Sequence, residues 1–89
     1  MPFFVYIIQS QFDNSFYKGF SINPASRLVQ HNQKESKYTA NKTPWTLVYV
    51  EQLLSKKEAI IRERTIKKYN RAQIEALILS NKNIVNTFR

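Results

Sequence analysis

Phe3-Phe4-Val5-Tyr6-Ile7-Ile8-Gln9, followed across a polar gap by Phe16-Tyr17-Lys18-Gly19-Phe20, is the stretch whose reading decides the fold. The first run consists mainly of β-branched and aromatic residues, which suit a pleated, buried surface and predict a strand. Alternation places Phe3, Val5 and Ile7 on one face and Phe4, Tyr6 and Ile8 on the other, so both faces are apolar. Residues 16–21 read as the returning strand after a polar turn at 10–15, which makes 3–21 a hairpin. Gly19 is the only glycine in 89 residues. The usual reason for a glycine inside a strand is close approach of another group to the backbone. Tyr6 and Tyr17, on neighbouring strands beside that gap, mark a candidate site, with Tyr17 and Gly19 on one face.

Outward from the hairpin, Asn23-Pro24 opens a helix: Asn is a good N-cap and Pro suits the first helical position. Its expected buried stripe is Ala25, Leu28 and Val29, and Arg27 and His31, four apart, share a face. Residues 33–44 are polar and basic, with a short helical turn expected around 37–40. Residues 45–54 form the third strand, apolar on both faces and therefore covered on both sides. Ser55-Lys56-Lys57-Glu58 opens a second helix over roughly 56–69, and Asn70-Arg71-Ala72-Gln73 starts a third carrying Ile74, Leu77 and Ile78. In the polar tail, Ile84, Val85 and Phe88 are expected to pack back. The order β-β-α-β-α-α predicts a small α/β (α+β) sandwich with a three-stranded, largely antiparallel sheet. One domain is expected over residues 1–89, with its core at about 2–80.

Fourteen Lys and Arg against six Asp and Glu give a net charge of +8 and a pI near 10.0. Such a field attracts polyanions, which makes nucleic acid the expected partner. There is no cysteine, so a disulfide framework and a cysteine-based zinc site are both excluded. No stretch approaches a membrane span, and the apolar start lacks the basic flank of a signal peptide. A cytoplasmic location, nucleoid-associated or free, is the expectation.

The polar residues that solvation does not explain are Tyr6, Tyr17, Arg27, His31 and Glu58, with Lys18 and Asn70 behind them. Each also has a plain reading. The tyrosines can be rim residues with buried rings, Arg27 and His31 a solvated helix face, and Lys18 decoration of a strand. Ser55-x-x-Glu58 can be a capping box. Together they match phosphodiester hydrolysis, which needs a base for water and a cation for developing phosphorane charge. Tyrosine, with a pKa near ~10, becomes a base only if nearby cations favour its phenolate. Arg27 and Lys18 are such cations, and Arg27 can also hold a phosphate oxygen. His31 can relay a proton or hold a tyrosine hydroxyl. Glu58 can be the one protein ligand to Mg²⁺ (or Mn²⁺), since magnesium keeps several waters and accepts a single carboxylate plus substrate phosphate. The rival carboxylates are Asp13, Glu35, Glu51, Glu63 and Glu75.

Val5-Tyr6-Ile7, Tyr17-Lys18-Gly19, Arg27 with His31, Glu58 in Lys-Glu-Ala, then Arg62 and Asn70 resemble the GIY-YIG nuclease superfamily. The likeness is closest to its small single-domain bacterial branch, related to the N-terminal catalytic domain of an excision-repair nuclease. His31-Asn32, Pro44-Trp45 and Leu47-Val48-Tyr49 extend it over about residues 2–80. The first motif departs as Val-Tyr-Ile and the second as Tyr-Lys-Gly, with both tyrosines kept. The resemblance implies a metal-dependent endonuclease with DNA ahead of RNA as substrate, and so a DNA-repair setting. It implies Tyr6, Tyr17, Arg27 and His31 as catalytic residues and Glu58 as metal ligand. It places Lys18, Gly19, Arg62 and Asn70 on the substrate side, although Asn70 would lie about 18 Å along a continuous helix from Glu58 and so outside the metal's reach. A single-domain nuclease of this size would bind mainly through phosphates with low sequence specificity, which a protein partner or homodimer would have to supply. The alternative is a binding module that keeps the fold without turnover.

Overall fold

The computed structural model describes residues 2–88. Strands β1 (Phe3–Ser10) and β2 (Phe16–Ser21) form the expected hairpin, followed by helix α1 (Pro24–Asn32), strand β3 (Trp45–Leu53), helix α2 (Lys56–Lys67) and helix α3 (Arg71–Ile78). Short 3₁₀ turns lie at Ala40–Lys42 and Val85–Phe88. The first of these falls later than the turn expected at 37–40. The sheet is antiparallel throughout, in the order β2-β1-β3, so β1 is central and β2 is an edge. Each helix starts where its capping residue stands. Asn23, Ser55 and Asn70 accept from the backbone N–H of Ser26, Glu58 and Gln73 at 3.1, 3.2 and 2.8 Å. Caps of this kind stabilise a helix by about 1 kcal/mol each.

The alternation of β1 divides the molecule into two layers. Val5 and Ile7 join Tyr49, Ala59, Ile66, Ile74 and Leu77 under α2 and α3. Tyr6 and Ile8 join Trp45, Leu47, Val50 and Val85 on the opposite face, where Leu28 of α1 and the C-terminal tail also pack. β3 does not keep a simple alternation. Ile7 pairs with Tyr49 but Ile8 pairs with Leu47, so a bulge leaves Val48 as the extra residue. The bulge turns Trp45 and Leu47 to the α1 side while Tyr49 stays beneath α2. Asn83 holds the bulged segment: its amide donates to the Val48 carbonyl at 2.9 Å and its oxygen accepts from Val50 N at 3.1 Å. The tail packs back as expected, with Val85 buried and the Phe88 ring edge-on to Phe4 at 5.2 Å.

One expectation about α1 fails. Ala25 and Val29 are exposed, and the residues turned inward are Pro24, Arg27, Leu28 and His31. The spacing is still that of one helix face. The polar pair takes the position that an apolar stripe would otherwise fill, because His31 finds two hydrogen-bond partners inside. Among the described residues, no helix is long and apolar enough to cross a membrane.

Candidate active site

Tyr6 stands opposite Gly19 in the β1–β2 ladder. With no side chain at position 19, the Tyr6 ring lies across the backbone of β2. A Cβ added to Gly19 would sit 2.7 Å from the Tyr6 hydroxyl oxygen and 2.8 Å from Cζ. Gly19 does not have a positive φ, so its requirement is for space and not for a left-handed backbone.

Beneath α1 the Tyr6 hydroxyl lies 3.0 Å from Nε2 of His31, and Nδ1 of the same ring lies 2.8 Å from Thr39 Oγ1. His31 and Thr39 are fully buried. The tautomer is assigned from the network: Tyr6 donates to Nε2, Nδ1–H donates to Thr39 Oγ1, and the Thr39 hydroxyl points to the Ser36 carbonyl at 3.5 Å. Arg27, one turn before His31, donates to Gln30 Oε1, and its guanidinium acts electrostatically on the Tyr6 hydroxyl. The Tyr17 ring packs against His31 with 4.9 Å between centroids and meets Trp45 at 6.5 Å. Tyr6, Tyr17, Gly19, Arg27 and His31, each expected at the site, are thus one cluster. Thr39 joins it as a residue that sequence reasoning missed.

Burial raises the Tyr6 pKa, and Arg27 only partly offsets this. Tyr6 is therefore a neutral phenol at neutral pH: Arg27 favours phenolate, as expected of a neighbouring cation, but burial outweighs it. Burial, and secondarily the Arg27 charge, lower the His31 pKa. His31 is therefore neutral and free to accept at Nε2. The unfolded chain, with His near ~6.5, binds this proton more readily than the native one. Stability from His31 is thus complete above about pH 6.5 and is lost as pH falls toward the lower native pKa. Melting curves between pH 7.5 and 5 should show a falling midpoint for wild type and a flatter profile for His31→Gln. Equal slopes would show that His31 is not the titrating group.

Glu63 of α2 also acts on Tyr6, as the smallest of the effects on its pKa. Its charge reaches Tyr6 and raises the tyrosine's pKa further. Its side chain is 14% exposed and ion-paired with Lys67 at 3.2 Å. Ala59, Glu63 and Ile66 follow the i, i+4, i+7 spacing of one helix face, and both apolar members are buried. A carboxylate on that stripe is the signal available in the sequence. Glu58 is not brought to the cluster. Five residues earlier on α2, it points about 140° away around the axis. It is exposed, its N–H caps on Ser55, and its carboxylate lies 3.4 Å from the Ser55 hydroxyl. The capping reading of Ser55-x-x-Glu58 is the one its contacts match.

Three further residues lie apart from Tyr6. Arg62 Nε bonds Glu51 Oε1 at 3.0 Å, and Glu51 also accepts from the Tyr49 hydroxyl, all on the α2 side of the sheet. Burial and Glu51 raise the Tyr49 pKa, so the phenol remains a donor. Asn70 forms a full capping box with Gln73. Lys18 pairs with Ile7 across the ladder, so it faces away from Gly19 and Tyr6.

This sheet, with tyrosines from two adjacent strands meeting an arginine and a histidine from the following helix, is the arrangement of one nuclease fold. The GIY-YIG catalytic domain family model matches residues 2–76, and the chain belongs to that family. It is similar to UPF0213 proteins, including one from Staphylococcus haemolyticus (44% identical over 71 residues, 79% of this chain and 85% of the relative) and one from Halobacterium salinarum (42% over 74 residues, 82% and 95%). The solution structure of a UPF0213 protein from Bacillus halodurans superposes with a TM-score of 0.60 at 28% identity, covering 99% of this chain and 94% of that one. Membership points to nuclease chemistry, and so to a nucleic-acid substrate in general and commonly to a divalent metal.

Among the described residues, no three His, Cys, Asp or Glu side chains converge on one point. An ion caged by protein ligands does not fit this donor set. A hydrated magnesium ion on a single carboxylate does, and Glu63, half-buried on α2 with its charge acting on Tyr6, is a carboxylate that would serve.

Proposed function

We propose that the chain is an endonuclease that hydrolyses phosphodiester bonds in nucleic acid, with DNA ahead of RNA and low sequence specificity. The observation that carries this is the Tyr6 hydroxyl, held at 3.0 Å by a neutral, buried His31, with the Arg27 guanidinium from the same helix face acting on it. Arg27 clamps a non-bridging phosphate oxygen and offsets the charge that develops there. Tyr6 relays a proton: it takes one from the attacking water as its own passes to His31 Nε2, while the P–O bond opposite the attack breaks and the leaving oxygen takes a proton from solvent. Thr39 keeps the imidazole in the tautomer that accepts the Tyr6 proton. Tyr17, packed on His31, positions the water or the phosphate. Glu63 is the residue that would hold Mg²⁺ or Mn²⁺, which when bound supplies charge neutralisation and acidifies water. The net charge of +8 makes phosphate contacts the main source of affinity.

A panel of labelled duplex, branched, flapped and single-stranded DNA and RNA, incubated with Mg²⁺, Mn²⁺ or EDTA, tests this reading. Wild type should cut in metal but not in EDTA. Arg27→Ala should cut on the order of a hundredfold more slowly with folding intact. Binding should weaken steeply between about 50 and 200 mM salt, at the slope expected for several phosphate contacts. Salt-sensitive binding with no cutting of any substrate in any metal would instead favour a binding module that keeps the fold.

A further inference from the structure

Tyr38 is 86% exposed, the most exposed aromatic ring among the described large hydrophobic residues. Its position is not that of a loose loop tip. The next residue, Thr39, is fully buried, with its hydroxyl on His31 Nδ1 at 2.8 Å and its carbonyl accepting from the Trp45 indole N–H at 2.9 Å. The Ala40 amide further ties this turn to the Ser36 carbonyl at 3.0 Å. The backbone that carries Tyr38 is thus anchored to His31, while the ring is left to solvent.

That ring borders a cleft of about 380 Å³, lined by Phe16, Tyr17, Lys18, Tyr38 and Lys67. A volume of that order is enough for a nucleobase-sized group. Tyr17 connects the cleft to His31, and Lys67 connects it to Glu63. Two of its three aromatic rings are already occupied. The Arg71 guanidinium covers Phe16 at 4.7 Å, and Tyr17 packs against His31 and Trp45. Of the three, Tyr38 is the one that offers an open face, in a cleft that two lysines also line. Aromatic faces set among cations are how proteins hold single-stranded nucleic acid, because every base has a π-face while a paired and stacked base hides it.

We infer that Tyr38 is a stacking platform for an unpaired base next to the scissile phosphate, with Lys18 and Lys67 holding the flanking phosphates. The substrate class is then nucleic acid with an unstacked nucleotide, such as single strands, flaps and junctions, rather than continuous duplex. The position of the scissile bond rests on the nuclease reading above, but the stacking site itself does not.

The test is fluorescence-anisotropy binding, without turnover, in EDTA. A labelled single-stranded DNA, the RNA of the same sequence and the matching duplex are titrated with wild type, Tyr38→Ala and Tyr38→Trp. Tyr38→Ala should bind the DNA or the RNA single strand about ten- to a hundredfold more weakly and the duplex as wild type does, and the arm that loses more names the preferred sugar. Tyr38→Trp should bind as wild type, with its added emission quenched by single strand and not by duplex. Equal loss on all three ligands, or no loss on any, overturns the stacking site and leaves the ring to a protein partner. Selective loss in a protein that cuts nothing upholds the site and sinks only the nuclease reading. Cutting with unselective binding does the reverse. Tyr38 is exposed, so unchanged melting of both variants is expected.

Discussion

Glu63→Gln is expected to abolish metal-dependent cleavage, by on the order of a thousandfold, while Glu58→Ala cuts at the wild-type rate. Glu63 is half-buried on the inward stripe of α2 and its charge reaches the Tyr6 hydroxyl. Gln has nearly the same shape but no charge, so it cannot replace a carboxylate that must hold a divalent cation. Glu58 is solvent-exposed in the first turn of α2, and its hydrogen bonds are to Ser55. Its removal gives up a favourable interaction with the helix N-terminus, worth about 0.3–1 kcal/mol. Initial rates on the best panel substrate test the contrast, with melting curves to show that both variants fold. Mn²⁺ binding followed by water-proton relaxation gives a reading that does not depend on turnover, and it should fall for Glu63→Gln alone. A folded, inactive Glu58→Ala beside an active Glu63→Gln would reverse the assignment.

Gly19→Ala is expected to disable the site through a single methyl group. The added Cβ would sit 2.7 Å from the Tyr6 hydroxyl oxygen and 2.8 Å from its Cζ, distances that require a shift. Tyr6 cannot yield easily, because its ring is buried and its hydroxyl is held by His31. Overpacking of this kind destabilises by about 1–3 kcal/mol. A displacement near ~1 Å at a reacting group reduces rate by roughly a hundredfold. The measurements are a melting midpoint and a cleavage rate for Gly19→Ala beside Tyr6→Phe. The phenylalanine variant keeps the ring volume and loses only the hydroxyl, so it should lose activity and also leave His31 Nε2 without its partner. If Gly19→Ala cuts at the wild-type rate, the Tyr6 ring is free to move and the glycine serves no packing role.

These residues also show how much of the site is legible in the sequence. Gly19 is readable because a lone glycine inside a strand has few explanations, and close approach is the commonest of them. Tyr6 and Tyr17 follow from their positions on adjacent strands, and Arg27 with His31 from their spacing of four. Local pattern favours Glu58 over Glu63, because Glu58 stands in a recognisable capping sequence near the helix start. Deciding between the two needs the tertiary structure, which leaves Glu58 exposed beside Ser55 and Glu63 half-buried with its charge acting on Tyr6. Chain order draws Arg62 and Asn70 toward the site, whereas their contacts lie with Glu51 and Gln73.

From sequence alone come the hairpin, the three helices with their capping residues, the antiparallel order and the likeness to the GIY-YIG fold. The structural elements among these rest on local chemistry, namely alternation, helical period or a single side chain satisfying a backbone N–H. Only the tertiary structure decided the bulge at Val48, the inward turn of Arg27 and His31, the hydrogen bond that binds Thr39 to His31, and the exposure of Glu58 against the half-burial of Glu63. Those outcomes depend on contacts between residues distant in the chain. A buried polar group must find its partner wherever the packing of other elements places one, and local pattern carries no record of that distance.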